Sequence, residues 1–133
     1  MVDRQALSIG QASDREAALA LLQPAAEVAG IGVADMVDGC ALFELREPGG
    51  RIVGAFAVRV DDYSTGRELT VTAAGASTAS GAAEAMAAWA EQQARERVKA
   101  RTLSCTTRRR GLMRKLQRLG YECTGYVMTK RIE

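Results

Sequence analysis

The strongest constraint on the fold is a pair of extended runs separated by a sharp turn. The run CALFELRE at 40–47 leads through a Pro-Gly-Gly sequence into RIVGAFAVRVDD at 51–62. Both runs are rich in β-branched and aromatic residues, and the intervening sequence favours a tight turn, so we predict a β-hairpin. Gly54 lies inside the second run and indicates a bulge or a close approach by another group. RELTVTA at 67–73 predicts a third strand.

Helical patterns precede the hairpin. SDREAALALLQP at 13–24 has apolar residues at helical spacing, and either Ser13 or Asp14 is a suitable N-cap. Because proline interrupts a helix, we predict that this one ends near Pro24. AAEVAGIGVADMVDG at 25–39 predicts a second, weaker helix, since its glycines lower helix propensity.

Helices and strands alternate after the hairpin. SGAAEAMAAWAEQQARERVKA at 80–100 predicts the longest helix, with Ser80 as the candidate N-cap, and RRGLMRKLQRLG at 109–120 predicts a basic one. Four short runs complete the predicted strands: ALSI, TLSCTT, YEC and GYVMTKRI. The order β-α-α-β-β-β-α-β-α-β-β predicts one α/β domain built on a central mixed sheet.

The composition excludes several kinds of chemistry. The chain has no histidine, which rules out Ser-His-Asp and Cys-His catalysis and every His-ligated metal site. Cys40, Cys105 and Cys123 form no C-x-x-C pair, so we predict buried thiols and neither a disulfide framework nor a metal site. Acid-base chemistry therefore falls to Asp, Glu, Tyr, Cys, Lys, a terminal amine or water.

Charge is divided unequally along the chain. Residues 1–66 hold five basic and ten acidic side chains, a net charge of −5, while residues 67–133 hold thirteen basic and six acidic ones, net +7. The basic half predicts an anionic partner, such as a phosphorylated cofactor, nucleic acid or an acidic surface. No apolar run approaches the ~20 residues that span a bilayer, and the first ten residues lack signal-peptide features. We expect a cytoplasmic protein without membrane contact.

Two segments carry a family resemblance. GLMRKLQRLGYECTGYVMTKRI at 111–132 and LFELREPGGRIVGAFAVRV at 42–60, in this order of elements, resemble the GNAT superfamily of acyl-CoA-dependent N-acyltransferases. The combination is also similar to small GNAT-like proteins encoded in phage genomes. The resemblance implies a single domain over residues 1–133, with a central mixed, mostly antiparallel twisted sheet flanked by about four helices. It implies an acetyl-CoA-dependent N-acetyltransferase whose acceptor amine is unknown.

The same resemblance implies where acyl-CoA binds. In the family, pantetheine inserts beside the strand that precedes the long helix, and the following loop presents backbone N–H groups to the pyrophosphate, as helix N-termini do. The loop TASGAA at 78–83 matches the glycine and the final alanine of the family pattern, but Thr78 replaces its Gln or Arg. The implied cofactor-binding residues are Val71, Thr72, Ala73, Thr78, Ala79, Ser80, Gly81, Ala82 and, for the 3′-phosphate, Arg109.

Catalytic residues are also implied by the resemblance. Some relatives place a carboxylate where Glu68 lies, which makes it the candidate base. The family often supplies a Tyr proton donor five residues before the aromatic residue of the Leu-Gly-aromatic step, but Leu116 occupies that position. Tyr121 and Cys105 are the reserve donors. These departures leave an alternative open, a catalytically degenerate GNAT-fold module that binds a protein or nucleic acid.

A basic cluster has three interpretations. It contains Arg108, Arg109, Arg110, Arg114, Lys115 and Arg118, with no acidic residue across these positions. It either binds the 3′-phosphate of CoA, contacts nucleic acid or forms a solvated helix face; Arg suits phosphate recognition, whereas the few aromatic residues weigh against single-strand binding. Trp89 is predicted to lie in the core. A monomer or a homodimer, the latter through an exposed edge of the C-terminal hairpin, is expected.

Overall fold

The computed structural model describes residues 7–76, 81–107, 109–125, 128 and 130–132, and shows a five-stranded sheet with helices. The sheet order follows the chain, and every neighbouring pair is antiparallel except the last, which is parallel. The strands are β1 (Ser8–Gln11), β2 (Ala41–Arg46), β3 (Ile52–Tyr63), β4 (Gly66–Ala76) and β5 (Thr102–Cys105). The helices are α1 (Arg15–Ala29), α2 (Val33–Met36), α3 (Ala82–Gln93) and α4 (Arg110–Arg118). The predicted α/β class with a mixed, mostly antiparallel sheet is confirmed.

The predicted hairpin is present as β2 and β3. Its turn is closed by the N–H of Glu47, which donates to the carbonyl of Arg51 at 2.9 Å. The register steps from Leu45 opposite Gly54 to Arg46 opposite Ile52, which is a β-bulge. A Cβ on Gly54 would lie 3.1 Å from the carbonyl oxygen of Gly75 on β4. Gly54 therefore marks both a bulge and a close approach, as its position in the strand predicts.

One face of the sheet packs against α3. The buried side chains here come from β2, β3, β4 and α3, and include Leu45, Phe56, Leu69, Val71, Met86 and Ala90. Trp89 contributes its indole, with ring centroids 4.5 Å from Phe43 and 5.2 Å from Phe56. The prediction that Trp89 belongs to the core is confirmed.

The opposite face packs against α1, and its small residues bring the helix close to the sheet. Ala18 and Leu22 of α1 are buried with Ala55 and Ala73 of the sheet. A Cβ on Gly75 would lie 2.1 Å from the carbonyl oxygen of Leu21, a distance that no side chain tolerates. Gly75 therefore allows the backbone of α1 to touch β4.

The predicted end of α1 at Pro24 is wrong, because the helix continues to Ala29 and ends at Gly30 in the left-handed conformation. Leu22 and Ala26 continue one buried stripe across the proline, so packing against the sheet favours a longer helix. Pro24 and Ala20, whose carbonyl loses its helical donor, are both exposed, and water can supply the missing hydrogen bond. The first five residues of the predicted second helix, 25–29, are thus part of α1, and Val33–Met36 form the separate helix α2.

The start of α3 also differs from its prediction. Gly81, not Ser80, is the N-cap, with φ of 79°, and its carbonyl accepts the first helical hydrogen bond from the N–H of Ala85 at 2.9 Å. Ser80 itself lies outside the described residues. The helix continues as a π-helical turn, Ala94–Val98, and stops at Lys99 with φ of 57°.

The predicted C-terminal hairpin is not formed by the residues that the structure describes. YEC at 121–123 has no strand geometry, because the N–H of Tyr121 turns back to the carbonyl of Leu116 at 3.0 Å. That hydrogen bond, together with Gly120 at φ of 95°, caps the C-terminus of α4, so Tyr121 does not begin a strand. The second piece, GYVMTKRI, lies partly outside the described residues, and its described residues carry no strand geometry either. The edge predicted for dimer contact is therefore absent from this part of the chain.

Candidate active site in the cleft between the fourth and fifth strands

Strands β4 and β5 stop pairing after Val71, and we call the region between the two chains beyond this point the cleft. The two strands pair only from Glu68 opposite Thr102 to Val71 opposite Cys105, and the N–H of Thr106 closes the pairing on the carbonyl of Val71 at 3.2 Å. From Ala73 onward β4 pairs with β3 alone among the described strands. The backbone edge of β4 beyond this point consequently has donors and acceptors available to an extended ligand.

Thr72 marks the vertex of the cleft. Val58 lies opposite Val71 and Ala57 opposite Ala73, so Thr72 is the extra residue of a β-bulge. The bulge reverses the alternation of the strand, since Val71 packs on the α3 face and Ala73 packs on the α1 face. The Thr72 hydroxyl Oγ1 lies 3.4 Å from Sγ of Cys40.

The N-terminus of α3 lies directly beyond the end of β4 in sequence. Among the described residues no side chain caps it, and within this part of the chain its first N–H groups are available. Exposed Glu84 is the acidic residue of its first turn. Among the described residues, a Cβ on Gly81 would meet no atom within 4 Å. Of the predicted phosphate loop, Gly81 and Ala82 are described, while Thr78, Ala79 and Ser80 are outside the described residues.

Glu68 is held by hydroxyl groups from two strands. Its Oε2 accepts hydrogen bonds from the Ser104 hydroxyl at 2.8 Å and the Thr102 hydroxyl at 3.2 Å, both on β5. Its Oε1 accepts a longer hydrogen bond from the Thr70 hydroxyl at 3.4 Å. The carboxylate is half-buried, and Oε1 is the less engaged of its two oxygens. Glu68 therefore has a fixed orientation and one oxygen with spare acceptor capacity.

The hydroxyl groups around Glu68 were missed at the level of sequence, although a signal was present. Thr70 and Thr72 follow Glu68 at every second position, and Thr102 and Ser104 alternate in the same way. In a strand this spacing places polar side chains on one face, while Leu69 and Val71 pack on the other. A polar row inside a predicted central sheet is unusual enough to indicate a site.

Cys105 lies opposite Val71 at the end of β5, and Tyr121 lies near Cys105. Burial raises the pKa of the Cys105 thiol to about 11. Burial, followed by the charges of Cys105 and Glu91, raises the pKa of Tyr121 to about 12. Both groups hold their protons at neutral pH and are able to donate a hydrogen bond. Leu116, at the position of the family's tyrosine, is 5% exposed and belongs to the apolar interior.

Arg109 is the N-cap residue of α4. Its backbone N–H donates to the Thr107 hydroxyl at 3.0 Å, and the residue is half-buried. Within the described chain its guanidinium forms no ion pair. Arg108, the first member of the basic cluster, is outside the described residues.

Outside this region, the described residues form one cavity of note. A cavity of about 350 Å³ lies between the beginnings of α1 and β2 and is lined by Gln11, Ala12, Arg15, Cys40, Ala41 and Leu42. It shares Cys40 with the neighbourhood of Thr72 but contains none of the predicted site residues. Across the described ranges, no group of three or more Cys, Asp or Glu residues is arranged to hold a metal ion. None of the described helices combines the length and apolarity needed to cross a membrane.

A mixed sheet that opens after its fourth strand, followed by a helix N-terminus, defines an α/β fold shared with acetyltransferases. Ribosomal-protein-alanine N-acetyltransferase from Brucella melitensis biovar Abortus 2308 superposes with a TM-score of 0.73 at 15% identity, over 96% of this chain and 100% of that one. AAC(6')-Iy, in complex with the bisubstrate analog CoA-S-monomethyl-acetylneamine, superposes with a TM-score of 0.66 at 18% identity, over 96% and 99%. A transcriptional regulator from Bacillus halodurans C-125 superposes at 0.68 and 17% identity, over 96% and 100%.

These likenesses concern the fold. Two of these three neighbours are acetyltransferases by name, and the chain shares with all three a GNAT-like fold. No family model matches the sequence, and no curated protein sequence matches it. The predicted fold is thereby confirmed, and the identities of 15 to 18% leave the substrate to be argued from the site.

Proposed function

We propose that this protein transfers an acyl group from acyl-CoA, with acetyl-CoA as the expected donor, to an amine. The observation that carries the proposal is the end of β4–β5 pairing after Val71, with the bulge at Thr72 and, next in the sequence, the N-terminus of α3, which no described side chain caps. An extended chain requires a free strand edge, and a pyrophosphate requires converging N–H groups. Both lie along one continuous segment, in the order in which acyl-CoA presents these parts.

The donor would be bound largely by backbone groups. Because the carbonyl of Val71 already accepts from Thr106, we assign pantetheine contact chiefly to Thr72 and Ala73. The loop from Thr78 to Ala82 would hold the pyrophosphate, and left-handed Gly81 would let it approach α3 without a side chain in the way. Arg109 would contact the 3′-phosphate, since a guanidinium can pair with two phosphate oxygens.

Glu68 would act as the base that removes a proton from the acceptor amine. It lies four residues before Thr72, or about 13 Å along an extended strand, which is too far for one water. A chain of several waters would therefore carry the proton from the vertex to the carboxylate. Its hydroxyl donors occupy Oε2 more fully than Oε1, which makes Oε1 the accepting oxygen. Tyr121 keeps its proton at neutral pH and would donate to the departing thiolate of CoA.

A variant of Glu68 tests this function. CoA release from acetyl-CoA would be measured with a panel of amino acids, peptides, polyamines and amino sugars as acceptors. We expect at least one acceptor to accelerate release, and Glu68→Gln to lower that rate by about 100-fold or more while leaving CoA binding unchanged. Glu47→Gln, which alters an exposed carboxylate in the hairpin turn, is the matched control and should keep the full rate.

Two outcomes would contradict parts of the proposal. A Glu68→Gln protein with the wild-type rate would remove Glu68 from the mechanism. CoA binding without acyl transfer to any acceptor would favour the catalytically degenerate binding module, for which Leu116 and Thr78 are the sequence arguments. The similarity to phage-encoded proteins stays a prediction.

A further inference from the structure

The exposed face of α4 carries a row of arginines. Arg110, Arg114 and Arg118 follow one another at intervals of four residues and are exposed, whereas Leu116 on the opposite side is buried. At 1.5 Å per residue the row spans about 12 Å along the helix axis. We call these three residues the arginine stripe.

Nothing acidic compensates the charge of the stripe within the described residues. None of its guanidinium groups forms an ion pair there, and the first turn of α4 has no acidic residue. The exposed side of α3 is built differently, since Arg95 pairs with Glu91 at 2.8 Å. Like charges at this spacing repel one another, so a solvated helix face would normally mix both signs.

The N-terminus of α4 adds to this repulsion. Arg109 at the N-cap and Arg110 in the first turn lie at the positive end of the helix dipole, and no side chain caps the helix. The stripe and the dipole therefore create one positive surface that is electrostatically unfavourable in isolation. A bound anion would relieve both contributions.

The chemistry of the surface selects the kind of anion. The positions that α4 exposes are Arg, Gly, Lys and Gln, so the surface lacks the apolar centre that protein interfaces use. Leu116 is buried in the protein, and the exposed Leu119 at the C-cap is a single side chain, not the continuous apolar face that membrane binding uses. Arginine pairs with phosphate through two parallel hydrogen bonds, and α4 has no aromatic residue on which single-stranded bases stack.

We propose that the arginine stripe binds the phosphate backbone of duplex nucleic acid, without base specificity. Backbone contacts position a protein on a duplex but do not read its sequence. The proposal goes beyond acyl transfer, and it leaves Arg109 with the CoA phosphate. Duplex binding and CoA binding should therefore occur together without competition.

The test is fluorescence anisotropy with a labelled 20-base-pair DNA duplex at 50 and 200 mM salt. Three phosphate contacts correspond to a slope of about −2.7 in log affinity against log salt, which is about a 40-fold loss over this range. We expect the contribution of about −2.7 to the slope to be lost in the triple variant Arg110→Gln/Arg114→Gln/Arg118→Gln. Glutamine is a good helix former, and circular dichroism would verify that the variant folds. If it does not fold, Arg114→Gln alone should reduce the slope by about 0.9.

Matched controls separate this proposal from general charge effects. Arg15→Gln/Arg51→Gln/Arg95→Gln removes the same number of charges from exposed positions elsewhere and should keep most of the binding. No binding at 50 mM salt, or an equal loss in this control, would overturn the proposal. Displacement of the duplex by polyglutamate of equal charge would overturn the proposal and show an acidic protein to be the partner. Tighter binding of a single strand than of the duplex would overturn the assignment of a duplex as the ligand.

Discussion

At the scale of single residues, two glycines in one stretch of small residues have different tasks. Gly75 lies where the backbone of α1 touches β4, while Gly81 adopts a left-handed conformation, and no described atom lies within 4 Å of where its Cβ would be. The family resemblance predicted ligand approach at Gly81, but no local pattern predicted close packing at Gly75. That distinction depends on which helix lies across the strand, which is a tertiary property.

Gly75→Ala should destabilise the fold. The added Cβ would lie 2.1 Å from the carbonyl oxygen of Leu21, so α1 must move away from the sheet. Overpacking of this kind typically costs about 1 to 3 kcal/mol, and urea unfolding would measure the loss. Gly10→Ala is the control, because its Cβ would meet nothing within 4 Å and its effect should stay within about 0.5 kcal/mol.

Glu68 shows what a sequence can and cannot provide at a site. Its place at the start of a predicted strand was visible, and the resemblance suggested its role. The bonds from Ser104 and Thr102 depend on β5 lying parallel to β4, which connects residues 34 and 36 positions apart in the chain. Alternation of polar residues indicates such a row, but only the pairing register shows which hydroxyls meet the carboxylate.

At the scale of elements, local pattern predicted the strands of the hairpin well and the helix ends less well. The hairpin is determined by its turn and by β-forming residues on both sides, which act over short distances. The end of α1 is determined by burial of Leu22 and Ala26 against the sheet, which offsets the penalty of Pro24. After α4, the N–H of Tyr121 caps the helix by donating to Leu116. The same N–H is then not available for the hydrogen bonds of the predicted strand.

A buried carboxylate joins two of these elements. Glu44 on β2 accepts hydrogen bonds from the N–H and hydroxyl of Ser13, just before α1, and pairs with Arg46. Burial acts to raise the pKa of Glu44, but the bonds from Ser13 and the pairing with Arg46 outweigh it and leave the pKa below its ordinary value of 4.5. Ser13 thus anchors the start of α1 to the sheet, while Asp14 caps it at 3.1 Å.

The contribution of Glu44 to stability should depend on pH. Because its folded pKa is lowered, the stabilisation is present above about pH 4.5 and is lost as the pH falls through the folded pKa. Glu44→Gln should lower the free energy of unfolding by about 2 kcal/mol at pH 7, and by progressively less in acid. Urea unfolding from pH 7 to pH 3 would measure this; a difference that stays constant with pH would contradict the linkage. The exposed pair of Glu47 and Arg51 is the control, and Glu47→Gln should change stability by less than about 1 kcal/mol.

At the scale of the whole molecule, the fold brings together features that lie far apart in the sequence. The free edge of β4 depends on where β5 stops pairing, and the hydroxyl groups on Glu68 depend on where the pairing begins. The class of fold followed from the order of elements and the resemblance, and the superpositions confirm it. Opening of the sheet after Val71 had been implied by the resemblance alone, because no local pattern encodes where two distant strands separate.

The central claim is that this cleft and the N-terminus of α3 bind acyl-CoA, and melting temperature with and without CoA tests it directly. At a hundredfold excess over Kd, CoA should stabilise the native protein by ~2.7 kcal/mol, which corresponds to a rise of about 10 °C. Gly81→Asp should lose this rise, because a carboxylate there would block and repel the pyrophosphate. Gly30→Asp is the control, because it introduces the same left-handed strain at the end of α1, and this variant should keep the rise in melting temperature with CoA. No rise at millimolar CoA, or an equal rise in Gly81→Asp, would contradict the claim.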